Sequence, residues 1–191
     1  VFVSKYIFFI HKLKINGYSL KSVLENIFML DILPVTLFVN TTLETENLGL
    51  FYQIILEKLH EWWENSEIYE KESSKFNEEL DHADYCKLLF KWHENLLKQI
   101  LKSLNVNSYT TRNNAILFLK VILSNFPVVE ELANPLTSKL EEIIENDERD
   151  DIKLASRALI GLIKFKKNKF ISIWKFYEME EEEKNKAMTV K

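Results

Sequence analysis

The stretch DHADYCKLLFKWHENLLKQILKSLN, residues 81–105, decides the fold that we expect. Its apolar residues recur at the i, i+3, i+4, i+7 spacing of one buried helical stripe: Tyr85, Leu88, Leu89, Trp92, Leu96, Ile100 and Leu104. Asp81 can cap this helix, with Asp84 three positions further on. Lysines and Glu94 occupy the opposite face, which we expect to lie in water.

The stretch VNSYTTRNNAILFLKVILSNFP, residues 106–127, predicts a second helix after a short polar turn. Its stripe is Ala115, Ile116, Leu119, Ile122, Leu123 and Phe126. Pro127 disfavours helical geometry at the residue before it and should end the helix. Two such helices with a short connection pack antiparallel, so residues 81–127 predict a helical hairpin.

Composition favours helices along the whole chain. Of 191 residues 47% are hydrophobic, which provides material for a core, and only three glycines and three prolines occur, too few for the turns of an all-β protein. The spacing of the helix pairs predicts an all-α fold, an α–α superhelix of antiparallel pairs like HEAT or armadillo repeats. Residues 1–177 would form this segment, and 178–191 a charged helix extension or tail. The first residue is not methionine and already lies in an apolar period, which predicts a fragment of a longer polypeptide.

Upstream of the hairpin, periodicity predicts which residues are buried. The expected inward residues are Val3, Tyr6, Ile7, Ile10 and Leu13 in a first helix, and Leu48, Tyr52, Ile55, Leu56, Leu59 and Trp62 in a long helix. Between them a short segment after Pro34 carries Val35, Leu37, Phe38 and Val39. Thr41 and Glu44 have the spacing of a capping box for that long helix. Gly49 near its start would allow another helix to approach.

Downstream, Asn134 would cap a helix that has Pro135 in its first position. A further helix would turn Ile152, Ala155, Leu159 and Leu162 inward, with Ala155, Ala158 and Gly161 permitting close helix contact. The most polar interior segment, 64–80, is interpreted as a short helix around Ile68 followed by a mobile loop.

Enzyme chemistry finds little support in the sequence. Glycines are too scattered for a phosphate-binding loop, and the four histidines show no His-x-x-x-His spacing, so we expect neither a cofactor nor a metal site. Cys86, the single cysteine, lies beside a buried stripe and is interpreted as inert. The longest apolar run, 27–39, contains Asp31 and Pro34 and is too short to cross a bilayer, so no membrane partner is expected. An enzyme with an unrecognised helical active site remains an alternative.

Four lysines near the C-terminus form a candidate nucleic-acid site: Lys164, Lys166, Lys167 and Lys169. They alternate with Phe165 and Phe170, and Trp174 follows, a pattern that can hold a phosphate backbone and stack bases. In the other interpretation, which we favour, these aromatic residues close the end of the core while the lysines face water. The net charge of −4 gives no overall attraction to RNA.

Polar residues at the start of the second hairpin helix suggest a structural role. Arg112, Asn113 and Asn114 include two asparagines early in a helix, where they lower helix propensity. Their amides would therefore bond a neighbouring turn of the same chain, an interpretation we favour over partner contact.

Several stretches together resemble one protein family. These are Trp62 to Glu72, with its Tyr-Glu-Lys-Glu ending, Lys91-Trp92-His93, the 109–114 segment, and the 119–127 ending with Pro127. They resemble the C-terminal helical-repeat region of the large scaffold subunit of the THO complex, the core of the TREX mRNA-export machinery. Ser73 stands where that family is expected to carry Cys. In the resemblance Trp62, Trp92, Arg112, Asn113, Asn114 and Pro127 are structural.

The resemblance implies a function for the chain. It would be a non-catalytic scaffold segment in the nucleus that binds other THO subunits and docks the DEAD-box RNA helicase of TREX, with mRNA as an indirect partner. Its matched motifs form core and do not mark the helicase interface. Direct RNA binding through the four lysines is the alternative.

Overall fold

The computed structural model describes residues 1–73 and 80–177, in which regular structure is helical and no strand occurs. The all-α class is therefore confirmed. The helices are α1 (Phe2–Lys12), α2 (Leu20–Met29), α3 (Leu33–Val39), α4 (Thr42–Glu64), α5 (Ser66–Ser73), α6 (His82–Asn105), α7 (Tyr109–Ile122), α8 (Glu130–Asn146), α9 (Asp150–Lys166) and α10 (Ile173–Phe176). A 3₁₀ turn, Lys167–Lys169, follows α9. The predicted tail 178–191 and residues 74–79 of the predicted loop lie outside the described residues.

Side chains begin the main helices where the sequence predicts. The Asp81 carboxylate accepts a 2.7 Å hydrogen bond from the backbone N–H of Asp84 at the start of α6. Thr41 and Glu44 form the predicted capping box at the start of α4, with a bond in each direction. These caps satisfy backbone donors that a helix start leaves without partners.

The helices pack in two rows. One row runs from α2 and α3 to α6 and then α8, and the other runs from α1 to α4, α7 and α9. The hairpins α6–α7 and α8–α9 connect the rows, and α4 against α7 is among the most extensive contacts. Because each helix touches neighbours in its own row and in the other, apolar side chains are shared across the stack.

Aromatic rings fill the centre between the rows. The indole of Trp92 is fully buried and stacks on Phe28, with ring centroids 5.6 Å apart. Tyr52 meets Phe28 and Phe118 edge to face, at 5.7 and 5.2 Å. The predicted α6 stripe is buried apart from Leu88, which is half-buried, and Cys86 is buried as predicted.

Two proline predictions need correction. α7 ends at Ile122, before the predicted Phe126, and the chain tightens there, since the Asn125 N–H bonds the Ile122 carbonyl three residues back at 3.0 Å. Pro135 is not the first residue of a helix, since α8 begins at Glu130 and includes it. Proline has no N–H to donate to the carbonyl four residues earlier, that of Glu131. Both residues are exposed, so this carbonyl can face water.

The buried face of α1 is not the predicted one. Ser4, Phe8 and His11 are buried, whereas Val3, Tyr6 and Leu13 are about half exposed or more. Apolar residues lie on every side of this helix, so periodicity cannot select its inner face. Contacts with distant residues fix it instead: the Phe8 ring lies edge to face with Trp62, and the His11 ring donates to the Glu72 carbonyl of α5 at 3.1 Å.

Only part of the apolar residues of α3 is buried, and α9 differs from prediction. In α3 only Leu33 and Leu37 are buried, while Val35, Phe38 and Val39 are exposed. In α9 Leu162 is exposed, and no atom lies within 4 Å of a Cβ placed on Gly161. The proposed small-residue contact at Gly161 is therefore wrong, because that side of α9 faces solvent.

Gly49 allows α4 and α7 to approach closely, as predicted. A Cβ built on Gly49 would lie 2.7 Å from the Cβ of Val121, closer than van der Waals contact allows. Neither backbone nor a branched Cβ can move aside without shifting a helix, so the absence of a side chain sets the spacing of the two helices.

We predict opposite effects for two Gly→Ala substitutions. Gly49→Ala should lower the free energy of unfolding by about 1–3 kcal/mol through overpacking. Gly161→Ala, the matched control in an open helix position, should raise it by about 0.5–1 kcal/mol through helix propensity. Urea unfolding followed by circular dichroism measures both, and adding Val121→Ala should recover part of the loss. An unchanged stability of Gly49→Ala would contradict the close packing.

Candidate functional site

Three aromatic rings form an exposed ridge on α1. Phe2, Tyr6 and Phe9 follow one another at i, i+4 and i+7 and are 76%, 48% and 54% exposed. Their rings stack along the helix, with centroids 5.6 and 6.4 Å apart. We call these three residues the aromatic ridge. Rings turned outward in a row are typical of a surface that packs against another protein. Apolar residues on every side of α1 indicate in the sequence that some of them must be exposed. The predicted inner face of α1 included Tyr6, which the structure turns outward.

A second exposed apolar group lies on α3. Val35, Phe38 and Val39, which we call the α3 patch, are 64%, 60% and 68% exposed. They lie opposite Leu33 and Leu37, whose burial holds α3 against the core. A seven-residue helix with both an inward and an outward apolar side can join the core and still offer contact area to a partner.

Amide side chains of α6 hold the corner between α2 and α3. The Phe28 carbonyl at the end of α2 accepts hydrogen bonds from Asn95 at 2.6 Å and from Gln99 at 3.0 Å. The Gln99 oxygen in turn accepts the N–H of Leu33 at 3.1 Å, at the start of α3. Gln99 is buried and thereby joins the two helix ends that meet at the corner.

Asn114 of α7 secures the other end of α3. Its buried amide donates to the carbonyls of Leu37 at 2.9 Å and Asn40 at 2.8 Å. This is the contact with a neighbouring turn that the sequence predicted for an amide of this segment. Asn113 is half-buried. The α3 patch is therefore presented by a helix fixed at both ends.

Arg112 joins the loops at one end of the two hairpins. Its Nε donates to the Leu104 carbonyl at 3.0 Å, and its Nη1 pairs with the carboxylate of Asp147, whose side chain is 1% exposed. Arg149 completes the group with a 2.7 Å bond to the same carboxylate. Hydrogen bonds from Arg149 and Arg112 hold the pKa of Asp147 well below its usual range. The group fixes the α6–α7 loop to the α8–α9 loop.

The Trp62 to Glu72 motif is held together by one carboxylate. The Trp62 indole N–H donates to Glu72 at 2.8 Å, and Lys58 pairs with the same carboxylate at 2.5 Å. Burial acts to raise the pKa of Glu72, but the bonds from Lys58 and Trp62 outweigh it and lower that pKa to about 2. Trp62 is buried, and Tyr69 lies edge to face with it. The motif thus ties α5 to α4.

The structure separates the four candidate RNA-binding lysines. Lys164, Lys167 and Lys169 are exposed, and Lys164 lies 3.8 Å from Glu141. Lys166 instead turns inward and donates to the carbonyls of Leu123 at 2.8 Å and Pro127 at 3.0 Å. Burial lowers the pKa of Lys166 to about 8. Its ammonium group caps the end of α7. Lys166 and Pro127 therefore both have a structural role, as donor and acceptor of this contact.

The aromatic residues around these lysines are also divided. Phe165 is 87% exposed and does not close the core, contrary to the interpretation favoured from sequence. Phe170 and Trp174 are half-buried. Phe165 therefore lies on the solvent side of α9, and three exposed lysines, Lys164, Lys167 and Lys169, are close to it in the sequence.

Two histidines that the sequence placed on separate segments meet inside the fold. The Nε2 atoms of His60 and His93 lie 3.3 Å apart, so one ring donates and the other accepts. Burial and the nearby charge of Lys166 lower the pKa of His60 to about 3. Burial, His60 and Lys166 hold the pKa of His93 well below its ordinary value. Both rings are neutral at physiological pH. Spacing along the chain could not reveal this pair, because it spans two helices.

The described residues offer neither a metal cluster nor a single membrane-spanning helix. In residues 1–73 and 80–177, no group of three His, Cys, Asp or Glu side chains could hold a metal ion. No single helix of this described part is long and apolar enough to cross a membrane. α2 and α3 together reach the required length and composition, but they are bent by 63° and their inward residues pack in the core.

In the described residues the arrangement defines an all-helical protein with apolar side chains exposed on several helices, among them α1, α3 and α9. Comparison with known proteins identifies its family. The family model Tho2, described as transcription factor/nuclear export subunit protein 2, matches residues 1–163.

Similar curated proteins share one name. The Saccharomyces cerevisiae THO complex subunit 2 is 33% identical over 165 residues, which cover 86% of this chain and 10% of that protein. The human THO complex subunit 2 is 23% identical over 209 residues, covering 100% of this chain and 13% of that protein. The Arabidopsis thaliana protein of this name is 22% identical over 143 residues, covering 69% and 8%. The chain belongs to the Tho2 family and spans about a tenth of the length of these relatives.

The histidine pair predicts how stability depends on pH. An unfolded histidine protonates near pH 6.5, whereas folded His60 does so only near pH 3, so the unfolded state binds more protons between these values. The free energy of unfolding should therefore fall as pH falls below 6.5, by about 1.4 kcal/mol per pH unit for each of the two histidines. His11, whose pKa burial also lowers, adds in the same direction.

Urea unfolding between pH 6.5 and 5 measures this slope, because the lowered pKa of Glu72 acts only at lower pH. His60→Gln should remove about half of the contribution of the pair. A slope that is the same in native protein and His60→Gln would show that His60 does not titrate as described.

Proposed function

We propose that this chain is a non-catalytic scaffold segment of the THO complex, acting in nuclear mRNA processing and in export coupled to transcription. In this role it binds other THO subunits and docks the DEAD-box RNA helicase of TREX. Membership of the Tho2 family and the name of the relatives support the assignment to THO. The aromatic ridge is the single observation that carries the binding role, because three stacked rings in water favour a protein partner.

The arrangement of helices supports an α–α superhelix of the HEAT or armadillo kind as the architecture of the segment. The hairpins α6–α7 and α8–α9 each contribute one helix to each row, and rows of this type extend by adding hairpins. Residues 1–177 would form this segment and hold its partners at fixed positions. No residue in it would perform chemistry, and mRNA would be reached through the partners.

Binding is expected to depend on the aromatic ridge. Tyr6→Asp with Phe9→Asp places two charges where apolar contact is needed and should reduce capture of the other purified THO subunits by at least about tenfold. Pull-down by the immobilised chain measures this, with circular dichroism to show that the helices are retained. Leu154→Asp is the matched control, since Leu154 is 66% exposed on α9 and belongs to neither apolar group.

Equal capture by the ridge variant and the control would remove the ridge from the interface. In a parallel arm the native chain should capture the purified helicase at micromolar concentrations. Failure to do so would contradict direct docking on this segment and would leave membership of THO standing.

Direct RNA binding is a second candidate, favoured by one observation. Phe165 is 87% exposed beside three exposed lysines, so a base could stack on its ring while the ammonium groups contact phosphates. Lys166 is committed to the carbonyls of Leu123 and Pro127 and would not take part.

An electrophoretic shift with single-stranded RNA tests this candidate. If RNA binds, Lys164→Glu, Lys167→Glu and Lys169→Glu together should abolish the shift, and the slope of log K against log salt should change by about 2. Phe165→Ala should weaken binding without altering that slope. The control carries the same charge change at Lys87, Lys91 and Lys98 on α6. Equal loss in both triple variants would point to overall charge and against a site.

A further inference from the structure

The chain beyond α9 turns back across the helices instead of extending a row. Ile171 forms a single parallel bridge to the segment before α8: its N–H donates to the Val128 carbonyl at 3.1 Å, and its carbonyl accepts the Glu130 N–H at 3.3 Å. We call residues 170–177 the strap. Backbone pairing at one position aligns the strap but buries little surface.

One ring anchors the other end of the strap. Phe176 is fully buried and stacks on Trp63, with ring centroids 4.9 Å apart and an interplanar angle of 14°. The rings of Phe90 and His93 lie at 5.9 Å and close the pocket around it. The Trp63 indole N–H also donates to the Phe176 carbonyl at 2.9 Å. Trp63 therefore contacts both the ring and the backbone carbonyl of Phe176.

Besides these two anchors the strap makes only partly buried contacts: the Ile173 N–H donates to the Glu131 carboxylate at 3.4 Å, and the Tyr177 ring lies edge to face with Phe90. Ser172 and Lys175 are exposed, and Ile171, Ile173 and Trp174 are only half-buried. A segment with one buried anchor and few backbone bonds belongs to the parts of a protein that open most readily.

A cleft of about 420 Å³ lies beside the strap. Trp63 and Val128, which contact the strap, line it together with His60, Glu64 and Lys166. The surface under the strap therefore continues into open space with both acidic and basic groups. A peptide longer than the strap would find room there for a flanking residue.

We propose that the strap is a removable ligand of its own chain, and that Trp63, Phe90, His93 and the 128–130 backbone form a peptide-binding groove. The groove takes a protein segment in which an aliphatic residue pairs with the backbone and one helical turn follows, placing a phenylalanine five positions later. In this chain the occupant is the strap, with Ile171 and Phe176 in these positions. A partner segment of the same pattern would compete with it, so access to the groove is controlled from within the molecule.

Cleavage of the full chain tests the proposal. A recognition site for a sequence-specific protease is inserted between Lys169 and Phe170 and cut in the folded protein. The C-terminal piece should then separate on gel filtration, while the body keeps its helical circular dichroism. A fluorescent peptide of residues 168–177 should rebind the body with micromolar affinity, measured by anisotropy.

Peptide variants locate the anchor. Phe176→Ala in the peptide should weaken binding by at least about 30-fold, because it removes the single buried ring. Lys175→Ala, the matched control at an exposed neighbouring position, should change it by less than about threefold. Loss of helical structure after cleavage would show that the strap is part of the core and would overturn the proposal. Absence of rebinding, or equal binding of the Phe176→Ala peptide, would overturn it as well.

Discussion

The close approach of α4 and α7 at Gly49 is the contact on which the arrangement of the helices depends. It brings the α4 backbone against Val121 and so sets the spacing within the row that continues to α9. α4 also carries Trp62 toward α5 and Trp63 toward the strap. A wider spacing would shift α4 and with it these two side chains relative to their partners on α5 and the strap. The absence of one methyl group at Gly49 is therefore linked to the positions of the site residues.

Much of the core was predictable because it follows from local rules. The α6 stripe, the capping box at Thr41 and the role of Gly49 depend on residues whose chemistry allows few alternatives. The structural role of Asn114 could be predicted for a similar reason. An amide early in a helix lowers helix propensity, and this cost is offset when its hydrogen bonds join a neighbouring turn, here that of Leu37 and Asn40.

The features that escaped prediction depend on contacts between distant residues. The buried side of α1 contacts Trp62 and Glu72, and Glu72 lies 61 residues from His11, so no pattern within α1 contains that information. The lysines that flank Phe165 in the sequence are compatible with a ring that points into the core and with one that points into solvent. His60 and His93 meet only because α4 and α6 pack together. Surfaces of this kind, which carry the proposed binding role, are therefore less visible in sequence than the core beneath them.

The side chains that hold α3 and its corner with α2 are amides, which carry no charge. Asn95, Gln99 and Asn114 bind backbone carbonyls in or near the core, where mobile ions cannot screen the contact. The exposed ion pair between Lys102 and Asp31 at the same corner weakens as ionic strength rises, whereas the amide contacts do not depend on it. The outward residues of α3 consequently keep their orientation under salt concentrations that strip charged ligands such as nucleic acid from a protein. An apolar partner bound to the α3 patch would therefore stay bound at salt concentrations that dissociate charged ligands.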